Sequence, residues 1–324
     1  MRIRWTALST LILLAGTAHV VLAQGPIRRA IRERREARAA PNPSEGIQRQ
    51  TIKFAGVERV YWIHVPPSHE VTPEMPLVVV LHGGGGSGPQ AERSYGWTPK
   101  SDREGFIVVY PDGTGPLGDR ILTWNAGACC GEAVDRDVDD VGFIRALVAH
   151  LLSTYKINPK RVYATGMSNG AMMSYRLACE ASDLFAAIGP VAGALNVPAC
   201  VPAHPVSVVA VHGLKDRNVR FAGGTPERQF DDHPRTDKSV AESTGFWIEH
   251  NGCSASPKTE SREGVAISIH EGGRQGSAVK IYAITEGAHA WPGGSRGARF
   301  LDEPSKAMNA TDEIWEFFAA HPKP

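Results

Sequence analysis

The sequence predicts a doubly wound α/β fold, a mostly parallel sheet with helices on both faces. Two observations carry this. Six short apolar runs, Leu77 to Leu81, Phe106 to Tyr110, Val162 to Thr165, Phe185 to Val191, Val206 to Val211 and Lys280 to Ile284, are solid rather than alternating, as in strands covered on both sides. Helical patterns separate them, and strands alternating with helices build a parallel sheet from right-handed crossovers.

Taken in order, the chain opens with Arg2 and Arg4, an apolar run from Leu8 to Ala15, and Val21-Leu22-Ala23 before Gln24. That is the order of a secretory signal with a small-residue cleavage site, so residues 1–23 are expected to be removed and the protein to be secreted, extracellular or periplasmic. The apolar stretch is too short to span a bilayer, and no membrane association is expected after cleavage. Residues 24–49 follow as an Arg-rich arm, with six arginines and two glutamates between Arg28 and Arg38. It lacks the apolar surface needed to offset ordering entropy, so a solvated, poorly ordered arm is expected. Setting aside Arg2, Arg4 and those six arginines from the 35 basic residues, and Glu33 and Glu36 from the 34 acidic ones, leaves the body near −5, which excludes a basic groove for nucleic acid.

Residues 50–324 read as a single domain. "TIKFAG" and "VERVYWIHVPP" form a hairpin ahead of the apolar runs. In "DDVGFIRALVAHLLSTY", Val141, Ile144, Leu147, Val148, Leu151 and Leu152 make one helical face, with Asp139 or Asp140 as cap. Further helices are expected from Asn169, from Val240 to His250 and from Thr311 to Phe318. Asp135 to Asp140, "DRDVDD", begins like a calcium loop but has Asp140 where glycine and Ala146 where glutamate are required, and reads as capping and solvated charge. Cys129, Cys130, Cys179, Cys200 and Cys253 suit disulfides in an oxidising compartment; Cys200 with Cys253, and Cys179 with Cys129 or Cys130, are the pairs expected. No C-x-x-C or His-rich cluster suggests a metal.

Chemistry concentrates at Gly166-Met167-Ser168-Asn169-Gly170, a G-x-S-x-G between a strand and a helix. Such a tight turn brings residues two before and two after the serine together, so both must lack side chains. It strains the serine, points its hydroxyl off the sheet and aims free helix amides at the same spot. A serine hydroxyl needs a base, and the base an acid that fixes its tautomer. "VSVVAVHGLKD" places Asp216, and "VKIYAITEGAHAWPGG" places His289, each just past the C-terminal end of a strand, where an open α/β sheet gathers its site. Asp231 and Asp232 compete for the acid but follow no strand. His212 reads as a polar residue at a strand end.

"LVVVLHGGGGSG" ends a strand in His82 and continues into Gly83 to Gly86, a loop whose amides can approach a substrate carbonyl; the amide of Asn169 is the expected partner donor. His82 is assigned the holding of that loop and no proton transfer. The same glycines fit a rival, since Gly83-x-Gly85-x-x-Gly88 follows a strand and Asp112 lies where a ribose-binding acid would be sought in a dinucleotide-binding oxidoreductase. Against it stand Pro89, where helix amides should begin, the expected export, and the lack of any task for Ser168, Asp216 and His289. A phosphate-binding P-loop is excluded because no Gly-Lys-Ser or Gly-Lys-Thr follows.

In sequence order, "LHGGGGSG", "TWNAGACCG", "VDDVGFI", "YATGMSNGAMMSYRLAC", "AAIGPVAG", "HGLKD" and "GAHAWPG" resemble the secreted poly(3-hydroxybutyrate) depolymerase and feruloyl esterase group of α/β-hydrolases, over Gln50 to Pro322. The resemblance implies the α/β-hydrolase fold, Ser168 as nucleophile, His289 as base and Asp216 as orienting acid. It also implies Gly84 as the first oxyanion donor, and Trp124 and Trp291 flanking the cleft. Depolymerases of insoluble polyester often carry a separate polymer-binding domain, and the chain ends soon after its last helix, so soluble oligoesters or feruloyl and acetyl esters of plant polysaccharide are the expected substrates. The reading is a secreted serine esterase that works through an acyl-enzyme without a cofactor. A catalytically inactive glycan- or polyester-binding homologue is the alternative of another class.

Overall fold

The computed structural model describes residues 46–70, 74–229, 233–297 and 301–324. The expected signal, the arm up to residue 45, and Asp231 and Asp232 lie outside them. The strands are β1 (Ile47–Phe54), β2 (Val57–His64), β3 (Met75–Leu81), β4 (Ile107–Pro111), β5 (Ile157–Met167), β6 (Ala187–Val191), β7 (Ser207–Gly213), β8 (Lys258–Arg262), β9 (Val265–His270) and β10 (Val279–Ile284). They form one sheet in the order β1-β2-β4-β3-β5-β6-β7-β10-β9-β8. From β4 to β10 the neighbours are parallel, and antiparallel hairpins close both edges. The helices are α1 (Gly88–Tyr95), α2 (Trp97–Glu104), α3 (Gly131–Asp135), α4 (Asp140–Thr154), α5 (Asn169–Glu180), α6 (Val240–Asn251) and α7 (Ala310–Ala320).

β3 shows why its sequence had to be apolar throughout. Successive side chains point to opposite faces, and both faces are covered: Leu77, Val79 and Leu81 enter one core with Ile144, Leu147 and Met173, while Val78 and Val80 enter the other with Trp97, Phe106 and Phe318. Each fully buried Leu or Val stabilises the fold by roughly 1.5–3 kcal/mol, so a charge anywhere on this strand would be costly. The six solid runs all became strands of the parallel centre.

The departures have physical reasons. β1 begins at Ile47, inside the segment assigned to the arm, because its register with β2 extends to the Ile47–His64 pair. β8, "KTESR", is exposed along its whole length and so carries no apolar signal; it is held by pairing to β9. The expected disulfides are corrected. Cys179 near the end of α5 bonds to Cys200, whose loop returns to within 4.9 Å Cα to Cα, and the neighbours Cys129 and Cys130 bond to each other. Cys253 is a free thiol whose Sγ lies 3.6 Å from the Ser277 carbonyl.

The acidic stretch before α4 divides its work. Asp139 caps the helix by accepting from Gly142 N at 2.8 Å, as the sequence suggested. Asp140 is not solvated: it is fully buried, accepts from Arg59 Nη2 at 2.8 Å and from Asn125 N at 2.8 Å. Burial raises its carboxyl pKa and the Arg59 charge opposes that rise. The Arg59 guanidinium also lies 3.9 Å over the Phe143 ring.

Removing one partner of such a buried pair leaves an uncompensated charge. Arg59→Met should therefore lose about 3–5 kcal/mol in urea unfolding, with partial recovery in the Arg59→Met/Asp140→Asn double variant. A double variant no better than the single would show that Arg59 acts by packing alone.

Candidate active site

Ser168 joins the end of β5 to the start of α5 with φ 57° and ψ −119°, a conformation in which side-chain-bearing residues are strained by about 1–3 kcal/mol. The turn is locked by Ser168 N donating to the Val191 carbonyl at 2.9 Å. A Cβ on Gly166 would stand 2.6 Å from the Leu81 carbonyl oxygen and 2.7 Å from the backbone of Gly170. The two glycines are thus required by each other, as the sequence suggested, and also by the end of β3. Ser168 is half-buried at the N-terminus of α5, where unpaired amides favour developing negative charge.

Asp216 and His289 follow β7 and β10, neighbours in the sheet. Their loops touch backbone to backbone, since Lys215 N donates to the Gly287 carbonyl at 2.9 Å and a Cβ on Gly287 would stand 2.9 Å from the Gly213 Cα. That approach sets His289 Nδ1 2.7 Å from Asp216 Oδ2. The other carboxylate oxygen accepts from the amides of Asn218, at 2.8 Å, and Val219, at 2.9 Å. Burial alone would raise the Asp216 pKa, but His289 and His212 beside it outweigh that and hold the carboxyl well below the usual carboxylate range. A buried carboxylate kept ionised beside Nδ1 fixes the imidazole as the Nδ1–H tautomer and leaves Nε2 as the base.

Sequence reasoning missed two neighbours. His212 is buried, with Nε2 2.7 Å from the Val219 carbonyl and 3.4 Å from Asp216 Oδ2, so it belongs to the carboxylate's surroundings rather than to a plain strand end. Its position four residues before Asp216 was the available signal. Asp302 accepts from His289 N at 3.2 Å and pairs with Arg228 Nη1 at 3.0 Å, pinning the histidine loop. It sits in a polar loop with no pattern that could have announced it.

The glycine loop lies against the serine: a Cβ on Gly83 would be 3.7 Å from Ser168 Cβ. His82, fully buried, accepts from Gly113 N at 3.0 Å through Nε2 and donates from Nδ1 to the Gly83 carbonyl at 2.8 Å. Burial lowers its pKa to about 4, so it holds the loop as a neutral ring. The Asn169 side chain accepts from Trp124 N at 2.7 Å and donates to the Trp124 carbonyl at 2.9 Å, fixing the start of α5. Among the described residues, the amides of Gly84 and Asn169 donate to no protein acceptor.

The two expected cleft tryptophans differ in setting. Trp124 is fully buried, stacked obliquely on His82 and donating to the His82 carbonyl at 3.1 Å, an acceptor that a buried indole N–H needs. Trp291 is also buried, stacked on Tyr95 at 4.3 Å, but it borders a small cavity shared with His289 and Met167, the residue before Ser168. That cavity brings the rim of the serine turn and the histidine loop to one place.

The dinucleotide reading loses its acid. Asp112 accepts from Gly88 N at 2.6 Å and from Trp62 Nε1 at 3.2 Å, so it already occupies the start of α1. Among the described residues, no group of three or more His, Cys, Asp or Glu side chains is placed to hold a metal ion.

Known proteins match this arrangement. Residues 59–203 match the model of the esterase PHB depolymerase family. NocK of Nocardia uniformis subsp. tsuyamanensis, named as an esterase, is 32% identical over 75% of this chain and 74% of its own. Feruloyl esterase B of Piromyces equi is 31% identical over 70% of this chain, which spans only 42% of that protein. The acetyl xylan esterase of Aspergillus awamori superposes with a TM-score of 0.60 at 18% identity, over 85% of this chain and 99% of its own, and shares the fold. With the G-x-S-x-G turn, the parallel sheet and these relatives together, the chain belongs to the esterase PHB depolymerase family of α/β-hydrolases.

Proposed function

We propose that Ser168 is the nucleophile, His289 the base and Asp216 the orienting acid of an esterase that cleaves carboxylic esters through an acyl-enzyme. The observation that carries this is the 2.7 Å bond from His289 Nδ1 to a buried, ionised Asp216, with His289 lining one cavity with Met167, the residue before the strained serine. His289 Nε2 takes the Ser168 proton as Oγ adds to the ester carbonyl carbon. The tetrahedral oxyanion is held by the amides of Gly84 and Asn169, aided by the N-terminus of α5. Collapse returns the proton to the departing alkoxide and leaves an acyl-serine. Water, deprotonated by the same histidine, then releases the acid.

The substrates proposed are soluble esters: feruloyl or acetyl esters on plant polysaccharide, or polyester oligomers. The names of the relatives support the feruloyl and acetyl esters and the matching family's description the polyester, and the small cavity beside His289 suits one acyl or alkyl group at a time. We also propose export. The Cys179–Cys200 bond suits an oxidising compartment, and among the described residues no helix is long and apolar enough to cross a membrane.

Ser168→Ala should lower turnover of p-nitrophenyl acetate or butyrate by about 10³-fold or more with an unchanged circular dichroism spectrum. A fluorophosphonate should label the wild type at Ser168 and spare this variant; failure to label the wild type would identify a binding protein rather than an enzyme. Methyl ferulate, acetylated xylan and hydroxybutyrate oligomers, assayed side by side, rank the substrates.

Asp216→Asn removes the charge that fixes the tautomer, and kcat should fall by on the order of 10³–10⁴-fold. The depressed Asp216 pKa means that the folded state binds fewer protons than the unfolded one. Its stabilisation is therefore complete above the unfolded value of about 4 and is lost as pH falls below it. Between about pH 6 and about pH 3, the urea midpoint of Asp216→Asn should fall less than that of the wild type. Equal slopes would mean that other carboxylates govern acid unfolding.

A further inference from the structure

The loop that carries Asp216 also carries a guanidinium that, among the described residues, makes no hydrogen bond. Residues 217–228 close on themselves: the Arg217 carbonyl accepts from Glu227 N at 2.9 Å and from Arg228 N at 3.0 Å, and Gly223 N donates to the Arg220 carbonyl at 2.9 Å. An open pocket on this loop is lined by Leu214, Lys215, Arg217, Arg220, Phe221 and Glu227, with Asp216 at its wall. Lys215 is paired with Glu286 outside the pocket. Arg217 Nε donates to Glu227 Oε2 at 2.8 Å. Arg220 Nε stands 4.0 Å from the other oxygen of the same carboxylate, beyond hydrogen-bond reach, and among the described residues its guanidinium makes no hydrogen bond. One carboxylate of this loop thus faces two guanidiniums, and among the described residues the Arg220 fork is left without a hydrogen-bond acceptor.

We infer that this pocket is a subsite for a carboxylate carried by the ester substrate, with Arg220 as the residue that reads it. The inference rests on the esterase reading and names a substrate class within it: esters that bear a free carboxylate beyond the scissile bond. A guanidinium fork binds a carboxylate through two parallel N–H···O bonds, which Arg220 has to offer because none is spent. Phe221, half-buried with its ring edge-on to His212 at 5.8 Å, and exposed Leu214 supply an apolar wall for the skeleton that carries the acid. Asp216 stands in the wall of the pocket, so the pocket adjoins the residue that bonds to His289. The same chemistry arises from two sources, a uronate on a polysaccharide ester and the free end of a hydroxy-acid oligoester.

The test uses the full chain and two matched substrate pairs: acetylated xylo-oligosaccharides with and without a uronate branch, and a hydroxybutyrate trimer with its methyl ester. In the wild type, kcat/KM should favour the acidic member of at least one pair, and the pair that shows it names the source. Arg220→Gln should lower that acidic-to-neutral ratio by about tenfold, Arg220→Lys should restore part of it, and added salt should shrink it in the wild type. A ratio near one in the wild type, or one unchanged in Arg220→Gln, overturns the subsite. Wild-type turnover of p-nitrophenyl acetate is measured alongside: its absence would overturn the esterase reading itself, whereas its presence without an acid preference overturns only the role of Arg220.

Discussion

Parallel pairing from β4 to β10 is the constraint on which the site depends. It brings the C-terminal ends of β3, β5, β7 and β10 to one rim, and each supplies one part: the glycine loop, Ser168, Asp216 and His289. The rim works only because the loops lie closer than side chains would permit. Gly166 abuts the Leu81 carbonyl and Gly287 abuts Gly213, so the distances between functional groups are set by backbone contacts, which are stiffer than contacts between flexible side chains. The strain at Ser168 persists because these contacts leave the turn no other conformation.

Electrostatics then differentiates the residues that geometry assembles. Asp216 and His82 are both buried, yet burial dominates only for the histidine. Asp216 accepts two backbone amides and His289 Nδ1–H, and His289 and His212 beside it outweigh desolvation and keep it charged. His82 accepts a proton bond from Gly113 and gives one to Gly83, partners that suit a neutral ring. The first can steer a proton at His289; the second can only hold a loop.

Much of this was legible in the sequence, and the limits are instructive. The parallel centre was visible because strands covered on both faces must be apolar at every position, as in β3. β8 was invisible because an exposed edge strand needs only backbone pairing. Ser168, Asp216 and His289 could be placed because each follows an apolar run and sits among glycines that the close loops require. The packing of Trp124 on His82 was not legible, because an indole beside a glycine loop looks the same in sequence whether it lines a cleft or packs on a neighbouring ring. The cystines were misassigned for a related reason: the return of residues 196–200 towards α5 is a tertiary event with no periodic trace. Asp302 and His212 were missed because they meet His289 and Asp216 only through space.

The buried pair of Arg59 and Asp140 connects these levels. Asp140 accepts the amide of Asn125, and Trp124, the residue before it, both accepts from and donates to the Asn169 side chain. Arg176 on α5 donates to the Asn125 carbonyl at 2.7 Å, tying the same segment to the helix a second time. A salt bridge in the core is weak evidence for stability, since desolvating two charges offsets most of their attraction. Here its geometry has a positional consequence. Asp140 fixes the 124–125 segment, and that segment fixes Asn169, whose amide faces the position proposed for the oxyanion. An apolar pair of equal volume could replace the packing of Arg59 and Asp140, but it would offer no acceptor to the Asn125 amide and would release the segment that holds the start of α5.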